Sequence, residues 1–319
     1  MSLIDSIHLF NSHIGDAKKI LITAHKNPDT DAIGSCLALA HYFSSELKKD
    51  IKIWIKESVK EFEFLPSKQF FENKFPKEFK FDTLIVCDCS SLERVNHVSF
   101  ITDAQHDFTT INIDHHPDNT KFGDINVVSK ISSVGELLYL MFTALDWKIS
   151  SQIATCLYAA ISFDTGRFAY SNVTDDTLLA ASKLKQFGAN PYEIYQALEE
   201  NKTENDFQLI KLAIDNLVVL KEYSLAYTTI PKNSPRGSVK VIDFIRQLKN
   251  VELFIVFQEL RSNLVKVNLR SKYNTNVTKI AGHFGGGGHN RAAGIVFESE
   301  ITQCKLELIE HIKSEKNTL

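Results

Sequence analysis

In the stretch Ile20-Leu21-Ile22-Thr23-Ala24-His25-Lys26-Asn27-Pro28-Asp29-Thr30-Asp31, a short continuous apolar run breaks off into a turn that carries one imidazole and two carboxylates. A run of that length without alternation reads as a strand buried on both faces, and helical spacing follows at once over residues 31–47. Before it, residues 3–18 also place their apolar side chains at helical spacing. Similar strand-like runs recur at residues 51–55, 83–87 and 110–113, with helical patterns at 133–145 and 151–161. Strands alternating with helices predict an α/β architecture, a parallel sheet with helices on both faces, whose ligands gather at the carboxyl ends of the strands. The Phe-rich residues 62–81 are expected to pack into the core.

The texture changes further along. A helix over residues 175–187 stops at Gly188, and Asn190-Pro191 restarts one that runs toward Asn201. Beyond it come strands at 225–230, 253–259 and 264–270, a helix near 239–249, and the run Gly285-Gly286-Gly287-Gly288. The expected organisation is a catalytic domain over residues 1–188, a helical linker over 189–205, and a smaller α+β domain over 206–319. A chain of 319 residues is long enough for two separate cores.

Composition narrows the class. The chain is 44% hydrophobic and 24% charged, as an ordinary globular protein is, with no low-complexity tract. No apolar run approaches a membrane span, and the amino end lacks a signal peptide's charge pattern. Five scattered cysteines fit buried thiols in a reducing cytoplasm better than a disulfide framework. A cytoplasmic protein without a membrane partner is expected. The net charge of −3 argues against a general duplex-binding surface, so any contact with nucleic acid must be local.

Each of several element ends delivers an acid or an imidazole: His25, Asp29 and Asp31 after the first strand, Asp88 after Cys87, Asp114-His115-His116 after Ile113, and Asp164 ahead of Thr165-Gly166. An isolated Asp at such a place is ordinarily a helix N-cap, and Asp31 or Asp164 alone carries no more weight than that. Adjacent imidazoles beside an Asp at one strand end are rarer, because buried polar groups need partners. Together, the set reads as a metal cleft. Imidazole mixed with carboxylate suits Mn²⁺, Fe²⁺, Co²⁺ or Zn²⁺ better than Mg²⁺, and Mn²⁺ is the expected metal. So many ligands exceed the needs of one ion and suit two ions sharing a carboxylate. Cys87 and Cys89, alternate positions expected on one face, lack the second pair of a tetrahedral zinc site and are assigned to packing. The histidines His8, His13, His41, His97, His106 and His283 lack such a context and are expected in surface or core roles.

At these residues the chain closely resembles the DHH phosphoesterase superfamily. Residues 25–35 resemble its first motif, Asp88-Cys89-Ser90 the second, Asp114-His115-His116 the third and Asp164-Thr165-Gly166 the fourth. The run Gly285-Gly286-Gly287-Gly288-His289 with Ala292-Ala293-Gly294 is similar to the glycine-rich signature of the associated carboxyl-terminal domain. Within the superfamily the two-domain form resembles the bacterial nano-RNase and pAp-phosphatase branch. The resemblance implies two Mn²⁺ ions, one held by His25, Asp29 and Asp88 and the other by Asp31, Asp88, His115 and Asp164. Asp88 would bridge, His116 would face the substrate phosphate, and Asp114 would orient its neighbours. Arg270, Ser271, Gly286, Gly287, Gly288 and His289 would grip the substrate's far end, since backbone N–H groups of a glycine run can approach a phosphate.

The implied substrates are short single-stranded oligonucleotides, nanoRNA or short DNA, and 3′-phosphoadenosine 5′-phosphate; a homodimer is left open. Rival activities differ in what they require. A pyrophosphatase or exopolyphosphatase would carry a more basic carboxyl domain, and a RecJ-like exonuclease an additional nucleic-acid-binding domain. A cyclic or linear dinucleotide phosphodiesterase is the nearest alternative. An inactive nucleotide-binding regulator would be expected to have lost ligands, and every one is present here.

Overall fold

The computed structural model describes residues 2–66, 68–72, 74–96, 107–237 and 239–317. They form two compact units, Met1–Leu198 and Glu199–Leu319. In the first, α1 (Leu3–Asp16) begins at a reciprocal Ser2/Asp5 capping box and leads to β1 (Lys19–Ala24) and α2 (Thr30–Ser45). Strands β2 (Asp50–Trp54), β3 (Phe71–Glu72), β4 (Thr83–Cys87), β5 (Thr109–Asp114) and β6 (Ile125–Val128) complete a parallel sheet of order β3-β2-β1-β4-β5-β6. Strand order reverses between β1 and β4, which makes the carboxyl ends of these two strands the rim of a crevice.

Helices α3 (Val134–Ala144) and α4 (Ser151–Asp164) join α1 and α2 on one face of this sheet, over Ile20, Ile22, Ile53, Ile85, Ile111 and Ile113. α2 is buried around most of its circumference, which is why residues 32–43 are apolar but for Ser35 and His41. Its Leu37, fully buried, is the kind of residue whose truncation to Ala costs about 2–5 kcal/mol. On the opposite face, Leu21, Trp54, Leu84 and Val86 are closed over by Phe75, Phe79, Phe81, Phe108 and Phe122. The Phe-rich stretch thus serves packing, Phe62 going to the helical side and Phe79 to the other. His97 and His106 lie outside the described residues. Helices α5 (Asp175–Gln186) and α6 (Pro191–Glu199) finish the unit, with Leu184 and Ile194 in its core.

The second unit starts with α7 (Glu204–Asp215), capped by a Thr203/Asp206 box. Its sheet runs β11 (Gly287–His289), β12 (Ala292–Phe297), β10 (Leu264–Ser271), β9 (Leu253–Arg261), β8 (Leu225–Ile230) and β7 (Val218–Leu220). Pairing is antiparallel except between β8 and β9. Alternate residues of β9 enter separate cores. Leu253, Ile255 and Phe257 meet α9 (Val277–His283) and α10 (Ile301–Asn317), whereas Phe254 and Val256 meet α7 and α8 (Val241–Ile245). This is the expected α+β unit. Among the described residues no helix is long and apolar enough to cross a membrane.

Candidate metal centre

Asp29, not Asp31, caps α2: its Oδ1 accepts from Asp31 N at 3.0 Å and Ala32 N at 3.2 Å. Asp31 therefore sits inside the first turn, fully buried, with its carboxylate reaching the amino end of α3. There Val134 N and Gly135 N donate to its two oxygens at 2.8 Å each, and Ser35 Oγ adds a longer bond of 3.3 Å. Backbone N–H groups at a helix start stabilise such a charge. Gly34 lets α4 approach α2; a Cβ there would lie 2.6 Å from Cys156 O. That approach brings Asp164, at the carboxyl end of α4, to the same place.

Asp88 follows β4 in a left-handed conformation, φ 53°, with its N–H donating to Ile113 O at 2.9 Å. The turn reverses the alternation of side chains. Cys87 and Cys89, expected on one face, fall into the two opposite cores, because a left-handed residue between them breaks the strand's period. Both are buried thiols, as are the remaining cysteines.

Around Asp88 the imidazoles converge. His25 Nε2 lies 3.4 Å from Asp88 Oδ2, and His115 Nε2 lies 3.5 Å from Asp88 Oδ1, 3.2 Å from Asp164 Oδ2 and 3.9 Å from Asp31 Oδ2. The other ring nitrogens are committed elsewhere: His25 Nδ1 to Lys26 O at 2.8 Å, His115 Nδ1 to Ile131 O at 3.2 Å. Donation from Nδ1 leaves the Nε2 lone pair of each ring facing the cleft, the arrangement metal-ligating histidines adopt. His116 Nδ1 sits 2.8 Å from Asp114 Oδ1 and 3.5 Å from Asp88 Oδ1.

Among the described residues, three overlapping groups have ligand atoms mutually within 4.8 Å: His25, Asp29 and Asp88; Asp31, His115 and Asp164; and Asp88, His115 and His116. Asp114 belongs to none of them. The fit to a cation is tested by Asp88 Oδ1, a buried oxygen with no hydrogen-bond partner, ringed by imidazole nitrogens too distant for good hydrogen bonds. The charge balance agrees. Burial alone would discharge His25 and His115, yet Asp88, with Asp29 beside one and Asp31 and Asp164 beside the other, drives their pKa values up to about 9 and about 11. Burial and the neighbouring Asp88 push Asp31 up to about 7, and burial with Asp31, Asp29 and Asp88 raises Asp164. Asp88 itself, though buried, is held well below the usual carboxylate range by His115 and His25. The cleft demands positive charge, and divalent cations on nitrogen and oxygen ligands supply it.

In the second unit the glycine run is not a free turn. Gly287, Gly288 and His289 form the edge strand β11 on β12, with Gly288 at φ 145° and 2.4 Å of clearance between its Cβ position and Ala292 O. Gly286 is pressed similarly against Gly294 O, at 2.3 Å. Arg270, half-buried, is the next-to-last residue of β10, pairs with Ala292 and donates from Nη1 to Leu269 O at 3.0 Å. Ser271 is buried, its Oγ donating to Thr275 O at 2.6 Å and its N–H to Arg291 O at 3.1 Å. The side chain of His289 lies outside the described residues.

Two further supports of the first unit's cleft had gone unforeseen. Glu57 Oε1 accepts from Asn27 N at 3.2 Å and from Asn96 Nδ2 at 2.9 Å, tying down the loop after His25 where Asn27 is left-handed, φ 54°. Asn119 reaches Asp114 from the turn after His116. A lone Asn in the strand sequence Thr109-Thr110-Ile111-Asn112-Ile113 was the available signal for the second.

Residues 19–161 match the DHH family, N-terminal domain, and residues 222–316 match the DHHA1 domain. With the cleft built as described, the chain belongs to the DHH family of phosphoesterases. It is similar to the bifunctional oligoribonuclease and PAP phosphatase NrnA of Thermus thermophilus, 28% identical over 304 residues, 93% of this chain and 90% of that one. Likewise it is similar to the protein of that name in Bacillus subtilis, 27% identical over 286 residues, 86% of this chain and 88% of that one. Among solved structures, an exopolyphosphatase-related protein from Bacteroides fragilis superposes with a TM-score of 0.90 at 24% identity, covering 98% of this chain and 96% of that one. At that identity the likeness is one of fold.

Proposed function

We propose that this chain is a two-metal phosphoesterase, with Mn²⁺ as its metal, that hydrolyses short oligonucleotides to mononucleotides and 3′-phosphoadenosine 5′-phosphate to AMP. The observation that carries this reading is Asp88, whose two oxygens each face a different imidazole while one oxygen has no hydrogen-bond partner. His25, Asp29 and Asp88 would hold one ion; Asp31, Asp88, His115 and Asp164 would hold the other. When bound, the pair would acidify water and neutralise phosphoryl charge. The chain's own groups do the rest. Asp31 is aimed by the N–H groups of α3, and in His25 and His115 the Nδ1 contacts to Lys26 O and Ile131 O leave Nε2 as the nitrogen that would ligate once a cation displaces its proton. His116, oriented by Asp114, is the group offered to the scissile phosphate.

Residues 1–188 would carry the chemistry and residues 206–319 the substrate's far end, with 189–205 as the connection. The grip would be Arg270 with the N–H groups of Gly287 and Gly288, together with His289; Gly286 and Ser271, expected to donate as well, have their donors spent on Ala281 O, Arg291 O and Thr275 O and would only shape the site. Support for these substrates comes from the printed activities of the relatives in Thermus thermophilus and Bacillus subtilis. The test is direct. The protein is incubated with labelled RNA and DNA oligomers of increasing length, with 3′-phosphoadenosine 5′-phosphate and with a cyclic dinucleotide, in Mn²⁺ and in Mg²⁺. Mononucleotides from the shortest oligomers, faster in Mn²⁺, are expected. Cleavage of the cyclic dinucleotide alone would make the chain a cyclic-dinucleotide phosphodiesterase, and equal rates in Mg²⁺ would overturn the metal assignment.

A further inference from the structure

Asn112 is fully buried in the middle of β5, where a polar amide must find partners or cost stability. Its Nδ2 donates to Val86 O at 3.3 Å and Cys89 O at 3.1 Å, carbonyls on either side of the left-handed Asp88. Its Oδ1 accepts from Asn119 Nδ2 at 2.8 Å. Asn119 in turn donates its second Nδ2 hydrogen to Asp114 Oδ2 at 2.5 Å, with Cys89 O at 3.2 Å only a longer, shared contact of the same nitrogen, and accepts at Oδ1 from Lys121 N at 2.6 Å. That pattern leaves one orientation for the amide. Reversed, it would set its oxygen against a carboxylate, a carbonyl and another amide oxygen.

The consequence reaches His116. Asp114 is buried, with Oδ2 taken by Asn119 and Oδ1 taken by His116 Nδ1 at 2.8 Å. A carboxylate that receives N–H from both sides is an acceptor only, so the ring hydrogen sits on Nδ1 of His116 and Nε2 is the nitrogen turned away from Asp114. We propose that Asn119, clamped by Asn112, is a positioning residue for the hydrolytic reaction, fixing the ring orientation and tautomer of His116 through Asp114. This rests on the reading of His116 as the group offered to the phosphate. Neither Asn119 nor Asp114 belongs to any of the ligand groups, whereas His116 shares one with Asp88 and His115, so bound Mn²⁺ is read beside kcat to tell loss of a metal from a misplaced ring.

The turn does not depend on the Asn119 side chain alone. Asn119 N donates to His116 O at 3.3 Å and Thr120 N to Ser90 O at 2.8 Å, and both backbone bonds survive truncation. A double-mutant cycle on the full chain in saturating Mn²⁺ tests the relay, with a labelled dinucleotide as probe. Asn119→Ala is expected to lower kcat by about ten- to a hundredfold with KM and bound Mn²⁺ close to wild type, and to lower the melting temperature by a few degrees because Oδ1 of buried Asn112 loses its donor. In a His116→Ala background the same change is expected to cost less than about twofold, because its only route of action is gone. Asn119→Asp keeps the shape but sets a second carboxylate against Asp114, and is expected to lose more than Asn119→Ala. An equal loss in both backgrounds, or loss of a bound Mn²⁺ on Asn119→Ala, or Asn119→Asp with wild-type kcat, would overturn the relay. Unchanged kcat in His116→Ala alone would overturn it too, and would locate the failure in the role given to His116.

Discussion

Replacing Gly34 by Ala tests whether helix packing sets the position of Asp164. Intrinsically the change favours α2, since Ala is better than Gly in a helix by about 1 kcal/mol. Against that, the new Cβ would stand 2.6 Å from Cys156 O and 3.3 Å from Ala160 Cβ. Reaching ordinary contact at 3.4 Å requires α4 to retreat by 3.4 − 2.6, or about 0.8 Å. Overpacking of this kind costs about 1–3 kcal/mol, so a net loss of up to about 2 kcal/mol is expected after the helix gain. For a unit of this size that lowers Tm by about 2–4 °C per kcal/mol. Function should suffer more. A ligand displaced by nearly 1 Å costs on the order of a hundredfold in rate, and Asp164 rides on the moving helix. The assays are a thermal melt, Mn²⁺ titration and kcat on a labelled dinucleotide. One weakened ion is expected, that of Asp31, His115 and Asp164, with the ion of His25 and Asp29 retained. A folded Gly34→Ala protein with wild-type kcat and both ions tight would refute the reasoning.

Metal-free protein should respond to alkali in a specific way. His25 has its pKa raised from 6.5 to about 9 and Asp31 from 3.8 to about 7, so each binds its proton more tightly folded than unfolded. The stability from His25 is fully present below about pH 6.5 and is lost as pH rises through 9, and that from Asp31 is already being lost through 7. In chelator, the denaturation midpoint should therefore fall between pH 6.5 and 9, and Mn²⁺ should flatten that fall; a midpoint that climbs over the window would contradict the charge balance of the cleft. Arg270→Ala, tested by steady-state kinetics, should cost about ten- to a hundredfold in kcat/KM on dinucleotides, the worth of one charge-assisted contact, and little on a minimal chromogenic phosphodiester. Equal losses on both substrates would remove Arg270 from the far grip.

The strand ends were legible because a buried strand is a continuous apolar run and an acid or imidazole at its terminus interrupts that run within a few residues. His25, Asp88 and His115 stand out this way, whereas Asp164 closes the helix α4 and gains its meaning only beside them. What could not be read depends on partners distant in sequence. Asp31 looks like a cap, but it receives N–H groups from Val134 and Gly135, 103 and 104 residues on, while Asp29 does the capping. The left-handed Asp88 is invisible in its neighbours, and with it the separation of Cys87 from Cys89 into different cores. The glycine run carried no strand signal, since Gly is depleted in strands; close approach to β12, not propensity, makes it one. Asn112 and Asn119 mean little singly and acquire a role only once β4, β5 and the turn are folded together.

The central claim is that Asp88 joins two metal ions in one site. Electron paramagnetic resonance during Mn²⁺ titration measures this most directly, because ions sharing a carboxylate are exchange-coupled. Wild-type protein is expected to take up two Mn²⁺ per chain with a coupled signal replacing the isolated-ion pattern, and Asp88→Ala, still folded, to lose both the coupling and hydrolysis. A single uncoupled Mn²⁺ in the wild type, or a coupled pair and near-normal activity in Asp88→Ala, would contradict it.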